Sequence, residues 1–363
     1  MVADTTRGIL PTQRIAELIE TGAIALARAP DDDQVQPASL DLRLGTRAYR
    51  VRASFLPGPE RLVAERLQSL TLHEFSLSEG AVLETGCVYI VPLMESLKLP
   101  AEIGAAANPK SSTGRLDIFT RVITDRAREF DIVPAGYAGP LYLEISPRTF
   151  PVLVRAGSRL SQMRFCRGDA RLNDAALLAL HERATLVDGT PHVDNGLTVS
   201  IDLGGTAEKI VGYRAKRHTA VIDVDRRAAL DPLDFWEPIP ARSPELILDP
   251  DQFYILVSRE AVHVPPDHAA EMVPFDPLVG EFRVHYAGFF DPGFGHSAAG
   301  GAGSRAVLEV RSHEVPFILE HGQIVGRLVY EPMTERPARL YGEDMSSNYQ
   351  AQGLKLSKHF KSG

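Results

Sequence analysis

The chain has 363 residues, of which 44% are hydrophobic, 24% charged and 7% aromatic, an ordinary globular composition that excludes disordered, collagen-like and coiled-coil classes. At roughly 150 residues per domain, that length predicts about two domains, each able to bury its own core. Lys and Arg number 39 against 47 Asp and Glu, so the net charge of −8 excludes a global positive field for nucleic acid or anionic membrane, and a polyanion must meet a local basic cluster.

No apolar run approaches the roughly 20 residues of a membrane span. The stretch from Met1 to Gln13 lacks a charged segment followed by an apolar signal core, so a cytoplasmic location is expected. Two cysteines, Cys87 and Cys166, cannot build a disulfide framework or a zinc site and read as small apolar core residues.

In chain order, the first predicted element is a helix over Pro11 to Thr21, where Ile15, Leu18 and Ile19 recur at helical spacing. From there to Cys166 the apolar residues fall in short runs broken by Gly and Pro, which predicts strands. The landmarks are Ser39-Leu40-Asp41-Leu42, Val88-Tyr89-Ile90-Val91, Leu99-Pro100-Ala101-Glu102, Leu143-Glu144-Ile145 and Pro151-Val152-Leu153. A second helix is predicted over Asp174 to Arg183, after a cap at Asn173, inside a polar linker at 167–195.

Beyond the linker the same landmarks return. Ser200-Ile201-Asp202-Leu203 repeats the first, and from there on Tyr254 answers Tyr89, Pro265 answers Pro100, Glu309 answers Glu144 and Pro316 answers Pro151, these four at a constant shift of 165. The organisation is therefore a tandem repeat: a first domain at 1–166, the linker with its helix at 167–195, and a second domain at 196–363.

Three segments carry chemistry. Asn108 to Ile118 gathers Lys110, Ser111, Ser112, Thr113, Gly114 and Arg115, a set of cations, hydroxyls and glycine that reads either as an anion cradle or as a solvated turn, and the second repeat has lost it. The second repeat instead carries Ala287-Gly288-Phe289-Phe290-Asp291-Pro292-Gly293, a strand entering a turn that predicts a β-hairpin, followed by a Gly-rich loop from His296 to Ser304. Glu144 and Glu309 each sit inside an apolar strand, either on its solvent face or in a pocket that tunes a general base. The tail from Tyr341 to Lys358 reads as a mobile arm or as terminal disorder.

Together these segments resemble the dCTP deaminases of the dUTPase-like superfamily. Gln36 to Gly45 is similar to the family's opening, and Lys110-Ser111-Ser112-Thr113-Gly114-Arg115 to its phosphate motif, with Lys110 in place of the usual Arg and its bidentate fork. Ala287 to Phe294 resembles the nucleobase hairpin, Leu308-Glu309 the strand of the base, and Tyr349-Gln350-Ala351-Gln352-Gly353 the C-terminal lid.

What the resemblance implies is a mainly β fold of two tandem dUTPase-like β-barrel or distorted jelly-roll domains with a few short helices, in a homo-oligomer whose sites join repeat one to repeat two. The implied activity is hydrolytic deamination of dCTP to dUTP and ammonia. Glu309 is the expected base, with Glu144 second, and Ser111 and Arg115 position water and developing charge. Lys110, Ser112, Gly114, Ala287, Phe289, Asp291, Tyr349, Gln352 and Lys355 are expected to bind substrate, with Mg²⁺ carried by the triphosphate and no catalytic zinc. In parts of the family dTTP inhibits. The alternatives are a dUTP diphosphatase, a bifunctional deaminase and diphosphatase, or a catalytically silent nucleotide-binding module.

Overall fold

The computed structural model describes residues 6–206, 209–274, 282–285, 288–312, 314–342 and 353–361. The chain forms two compact units, Met1–Asp169 with Ala220–Ala229, and Ala170–Thr219 with Leu230–Gly363. Both are mainly β, with short helices. Among the described residues no helix is long and apolar enough to cross a membrane.

The first unit centres on Ala138–Pro147, which pairs antiparallel with Val88–Lys98 on one side and Ile118–Thr124 on the other. A second sheet pairs Arg159–Arg167 with Ile103–Pro109 and Leu40–Arg43, and Ile132–Val133 extends it. In the second unit Ser304–Ser312 lies between Phe253–Val262 and Phe282–His285, while Ile324–Pro332 lies between Leu197–Ser200 and His268–Pro274. The repeat thus extends from residues to pairing: Glu144 faces Ile90 and Glu309 faces Ile255, both at the shift of 165.

Thr12–Glu20 is helical with Ile15 and Leu18 buried. Asp174–Arg183 is helical too, and the Asn173 side chain accepts the Ala176 N–H at 2.9 Å. This helix is no polar tether: Leu177, Leu180, Leu186 and Val187 are buried with Leu256 and Leu308 in the second unit's core, and from Ala170 on the expected linker is part of that unit. Both cysteines are half-buried rather than core residues.

An unanticipated helix, Val63–Leu70, buries Val63, Leu67 and Leu70 against Val51, Ile90, Ile123 and Tyr142. Its helical spacing is present in the sequence, but Leu62 at its start offers no capping side chain. The Glu65 carboxylate instead accepts the Leu62 N–H at 2.9 Å.

Residues 220–229, expected within the second domain, belong to the first unit. Ile222–Asp223 adds a parallel strand beside Val152–Val154, with the Ile222 and Val224 N–H groups donating to Pro151 O and Leu153 O at 3.0 and 3.2 Å. Arg155 fixes this arm by a fork, donating to Asp223 Oδ1 and Oδ2 at 2.8 and 2.9 Å. The Arg155 hydrogen bond holds the Asp223 carboxyl below the usual carboxylate range. Its contribution is complete above the unfolded Asp value of about 3.9 and is lost as pH falls through the lower folded value. Arg155→Ala is expected to lower the amide protection factors at Ile222 and Val224 at neutral pH, and acidification through the lowered Asp223 value to lower them in the wild type. Unchanged protection in both cases would show that the strand is held by other contacts.

Candidate active site

Strand Ile103–Pro109 ends at a proline, and the chain turns at once into a single helical turn, Ser111–Gly114. The Thr113 and Gly114 N–H groups close on the Lys110 carbonyl at 2.8 and 3.0 Å, and the Arg115 N–H on Ser111 O at 3.1 Å. Asp117 ends the turn at a φ of +55° and accepts the Thr149 hydroxyl at 2.5 Å. One turn therefore collects Lys110, Ser111, Ser112, Gly114 and Arg115, with Ser112 and Arg115 buried at 5% and 3% exposure. A freely solvated turn does not fit that burial.

Lys110 is not a loose cation. Its ammonium is ion-paired with the buried carboxylate of Asp41, which also receives Arg159 at 3.3 Å. Arg159 continues to Asp33 at 2.8 Å. Burial pushes the Asp33 carboxyl up, but Arg159, Lys110 and Arg227 together bring it below its ordinary value. Asp41 Oδ1 has no hydrogen-bond partner among the described residues. Sequence reasoning treated Asp41 only as a repeat landmark. The signal was its recurrence as Asp202, which is ion-paired with Arg305 in the second unit.

Beside this network lies a second buried pair. Arg43 donates to Glu95 through its backbone N–H at 2.8 Å and through Nε at 2.9 Å, and Gln34 adds a hydrogen bond at 2.9 Å. Burial pushes the Glu95 carboxyl up against the pull of Arg43.

The two strand carboxylates are both buried, Glu144 at 1% and Glu309 at 6% exposure, which overturns the solvent-face alternative. They share one topological position and differ in what lies across from it. Arg121 is in register with Glu144 and donates to Oε1 through Nε at 3.0 Å and Nη2 at 2.6 Å. The same guanidinium lies 3.5 Å from the Phe130 ring centroid and donates to the Ser54 hydroxyl at 2.7 Å. In the second unit the register position opposite Glu309 holds His285.

The Asp291-Pro292-Gly293-Phe294 turn forms: the Phe294 N–H closes on Asp291 O at 3.0 Å with Gly293 at a φ of +97°. It does not close the expected hairpin. Phe289–Phe290 pairs with His268–Pro274, whereas Ser304–Ser312 pairs with Phe282–His285, so the turn carries the chain between two sheets. Phe289 and Asp291 are buried, and Phe294 packs edge-on against Phe290 at 5.0 Å. The Gly-rich stretch is organised too: Ser297–Ala299 is a 3₁₀ turn, with Gly300 left-handed at its end.

Ala287, Tyr349 and Gln352 lie outside the described residues. Lys355 is exposed, and the chain just beyond it is anchored rather than loose: Phe360 is buried at 5% exposure against Phe235 and Trp236, at 5.4 and 6.1 Å between centroids. Lys110, Ser111, Ser112, Gly114, Arg115 and Glu144 thus belong to the first unit, and Phe289, Asp291, Glu309 and Lys355 to the second. Among the described residues no group of three or more His, Cys, Asp and Glu is placed to hold a metal ion.

Residues 6–169 match the model of the 2'-deoxycytidine 5'-triphosphate deaminase N-terminal domain, and residues 173–360 match that of its C-terminal domain. This chain belongs to the 2'-deoxycytidine 5'-triphosphate deaminase family. A crystal structure of 2'-deoxycytidine 5'-triphosphate deaminase from Agrobacterium tumefaciens is similar to it at 70% identity and a TM-score of 0.88, covering 90% of this chain and 99% of that one. A relative from Methanobrevibacter smithii named "dCTP deaminase, dUMP-forming" is 30% identical over 162 residues, 43% of this chain and 79% of the relative. A Haemophilus influenzae dCTP deaminase is 30% identical over 137 residues, 36% of this chain and 67% of the relative. Most of each relative is matched by less than half of this chain, as a doubled family unit requires.

Arg121 compensates the buried charge of Glu144 through one of its two carboxylate oxygens. Arg121→Met leaves it buried and uncompensated and is expected to cost about 3–5 kcal/mol in denaturant unfolding. The paired change Arg121→Met with Glu144→Met is expected to recover most of that loss. An equal loss in both variants would contradict the pairing.

Proposed function

We infer that this chain catalyses the hydrolytic deamination of dCTP, adding water at cytosine C4 and releasing ammonia with dUTP. The observation that carries this reading is the match of both halves to the two domains of one deaminase family, together with the 70% identity to the Agrobacterium tumefaciens deaminase.

Glu309 is assigned the base. It takes a proton from the attacking water and returns protons to N3 and to the departing amine, so that one water and one dCTP become one dUTP and one ammonia. Its burial among Leu308, Val310 and the paired strands supports a carboxylate held away from bulk water. Ser111 and Arg115 are assigned to orienting the water and stabilising negative charge as C4 becomes tetrahedral, a role that suits donors held by a closed backbone turn. Phe289 and Asp291, with Ala287, are assigned to the base and sugar. Lys110, Ser112, Gly114, Tyr349, Gln352 and Lys355 are assigned to the triphosphate, which arrives with Mg²⁺ as its counterion.

For Lys110 this assignment has a physical condition. Its ammonium is shared with Asp41, so the incoming phosphate must compete with a carboxylate for it, and Lys in place of the family's Arg loses the fork that could serve both.

A second reading, deamination followed by cleavage to dUMP and pyrophosphate, is favoured by the name of the Methanobrevibacter smithii relative. Ammonia and pyrophosphate measured together on dCTP, CTP and dCMP separate these readings. Ammonia from dCTP without pyrophosphate is expected. Equal amounts of both products would establish the bifunctional enzyme, and tight dCTP binding with neither would establish a silent module. Ser111→Ala and Arg115→Ala are each expected to lower kcat by roughly 10²–10³-fold. Near-normal turnover in both would place the chemistry elsewhere.

A further inference from the structure

The first unit has a cavity of about 430 Å³ that the deamination chemistry above does not use, lined by Thr124–Glu129, Ile132, Pro134, Tyr137 and Ala138. This lies within the roughly 300–1,000 Å³ range of small-molecule sites. The strand Ile132–Val133 extends its sheet from Ile103–Pro109 as Phe289–Phe290 does from His268–Pro274, so 132–138 of this wall corresponds, at a shift of 157, to 289–295, the segment of the second unit that begins with Phe289 and the Asp-Pro-Gly turn.

Arg126 and Arg128 present two exposed guanidinium groups at this cavity, and neither takes part in an ion pair among the described residues. Arg126 stands at a φ of +60°, a conformation an Arg adopts only under constraint. The constraint comes from the segment before Val63–Leu70. The Arg126 N–H donates to Arg61 O at 3.0 Å, the Gly58 N–H to Ala127 O at 3.1 Å, and the Val63 N–H to Asp125 Oδ1 at 2.8 Å. The opposite wall is apolar, with Ile132 at 49% exposure beside Pro134, Ala138 and the Tyr137 ring. Tyr137 is fixed by donating to Pro140 O at 2.7 Å and accepting the Asp125 N–H at 3.1 Å, and burial pushes its hydroxyl up to about 12, so it stays neutral. Glu129 and the free oxygen of Asp125 add acceptors.

We propose that this cavity is a second, non-catalytic ligand site for a pyrimidine deoxynucleoside monophosphate. The phosphate pairs with Arg126 and Arg128, the base lies on the Ile132 and Tyr137 wall, and the carboxylates of Asp125 and Glu129 accept from an exocyclic amine or ring N–H. The nucleotide class rests on the deaminase reading and on the repeat correspondence; the anion preference rests on the two unpaired guanidinium groups.

The test is amide exchange of the full chain with and without dCMP, read separately over 124–138 and 289–303, alongside dCTP turnover of the same preparation. Slowing over 124–138 of at least 5-fold is expected in the wild type. It should be lost in Arg126→Gln with Arg128→Gln, which keeps the wild-type kcat for dCTP. No slowing at 124–138 at dCMP concentrations that slow 289–303 would overturn the proposal. Loss of dCTP turnover in the double variant would also overturn it, by making the cavity part of the substrate site. Absence of dCTP turnover in the wild type would instead refute the deaminase reading, leaving the 124–138 readout to decide the anion site by itself, with inorganic phosphate as the probe.

Discussion

A carboxylate buried in the middle of a fully paired strand is costly unless a cation meets it or a reaction uses it, and both units place one there. Glu144 and Glu309 hold the same place on equivalent strands, each with an isoleucine opposite in register and apolar residues on either side. In the first unit Arg121 meets the charge from the adjacent strand, and its own position is set by Phe130 and Ser54. In the second unit the equivalent register position holds a histidine.

The first unit supports that arrangement from the stretch between Arg47–Val51 and Thr71–Ser76. The stretch before Val63–Leu70, and that helix itself, cover the sheet that carries Glu144, supply Ser54 to Arg121 and brace the backbone of 124–127. The segment that carries the anion cradle is likewise fixed from outside itself: Asp41, on Leu40–Arg43, holds Lys110, while Arg159 and Asp33 extend the network. If Lys110 binds phosphate as proposed, the affinity depends on how readily Asp41 yields its partner, not only on how many cations are present.

Much of this was legible in the residues. The constant shift of 165 between Tyr89 and Tyr254, or Glu144 and Glu309, requires equivalent strand pairings in both halves, and the registers have them. The two predicted helices form because their apolar spacing and, for Asp174–Arg183, the Asn173 cap act locally. What escaped was decided at long range. Whether a strand glutamate faces solvent depends on the sheet above it. A turn such as Asp291–Phe294 fixes a local bend but not which strand it delivers the chain to. The arm at Ile222–Asp223 carries only two paired residues, too short a run to signal that it leaves its neighbours in sequence for the first unit. The pairing of Lys110 with Asp41 spans 69 positions and leaves no local trace.

Ammonia release from dCTP by Glu309→Gln and Glu144→Gln, each verified as folded and as binding dCTP, decides which of the two repeat-related carboxylates is the base. With Glu309 as the proposed base, deamination falls by orders of magnitude in Glu309→Gln and turnover is retained in Glu144→Gln. Retained turnover in Glu309→Gln with loss in Glu144→Gln is the opposite result and assigns the proton transfers to Glu144.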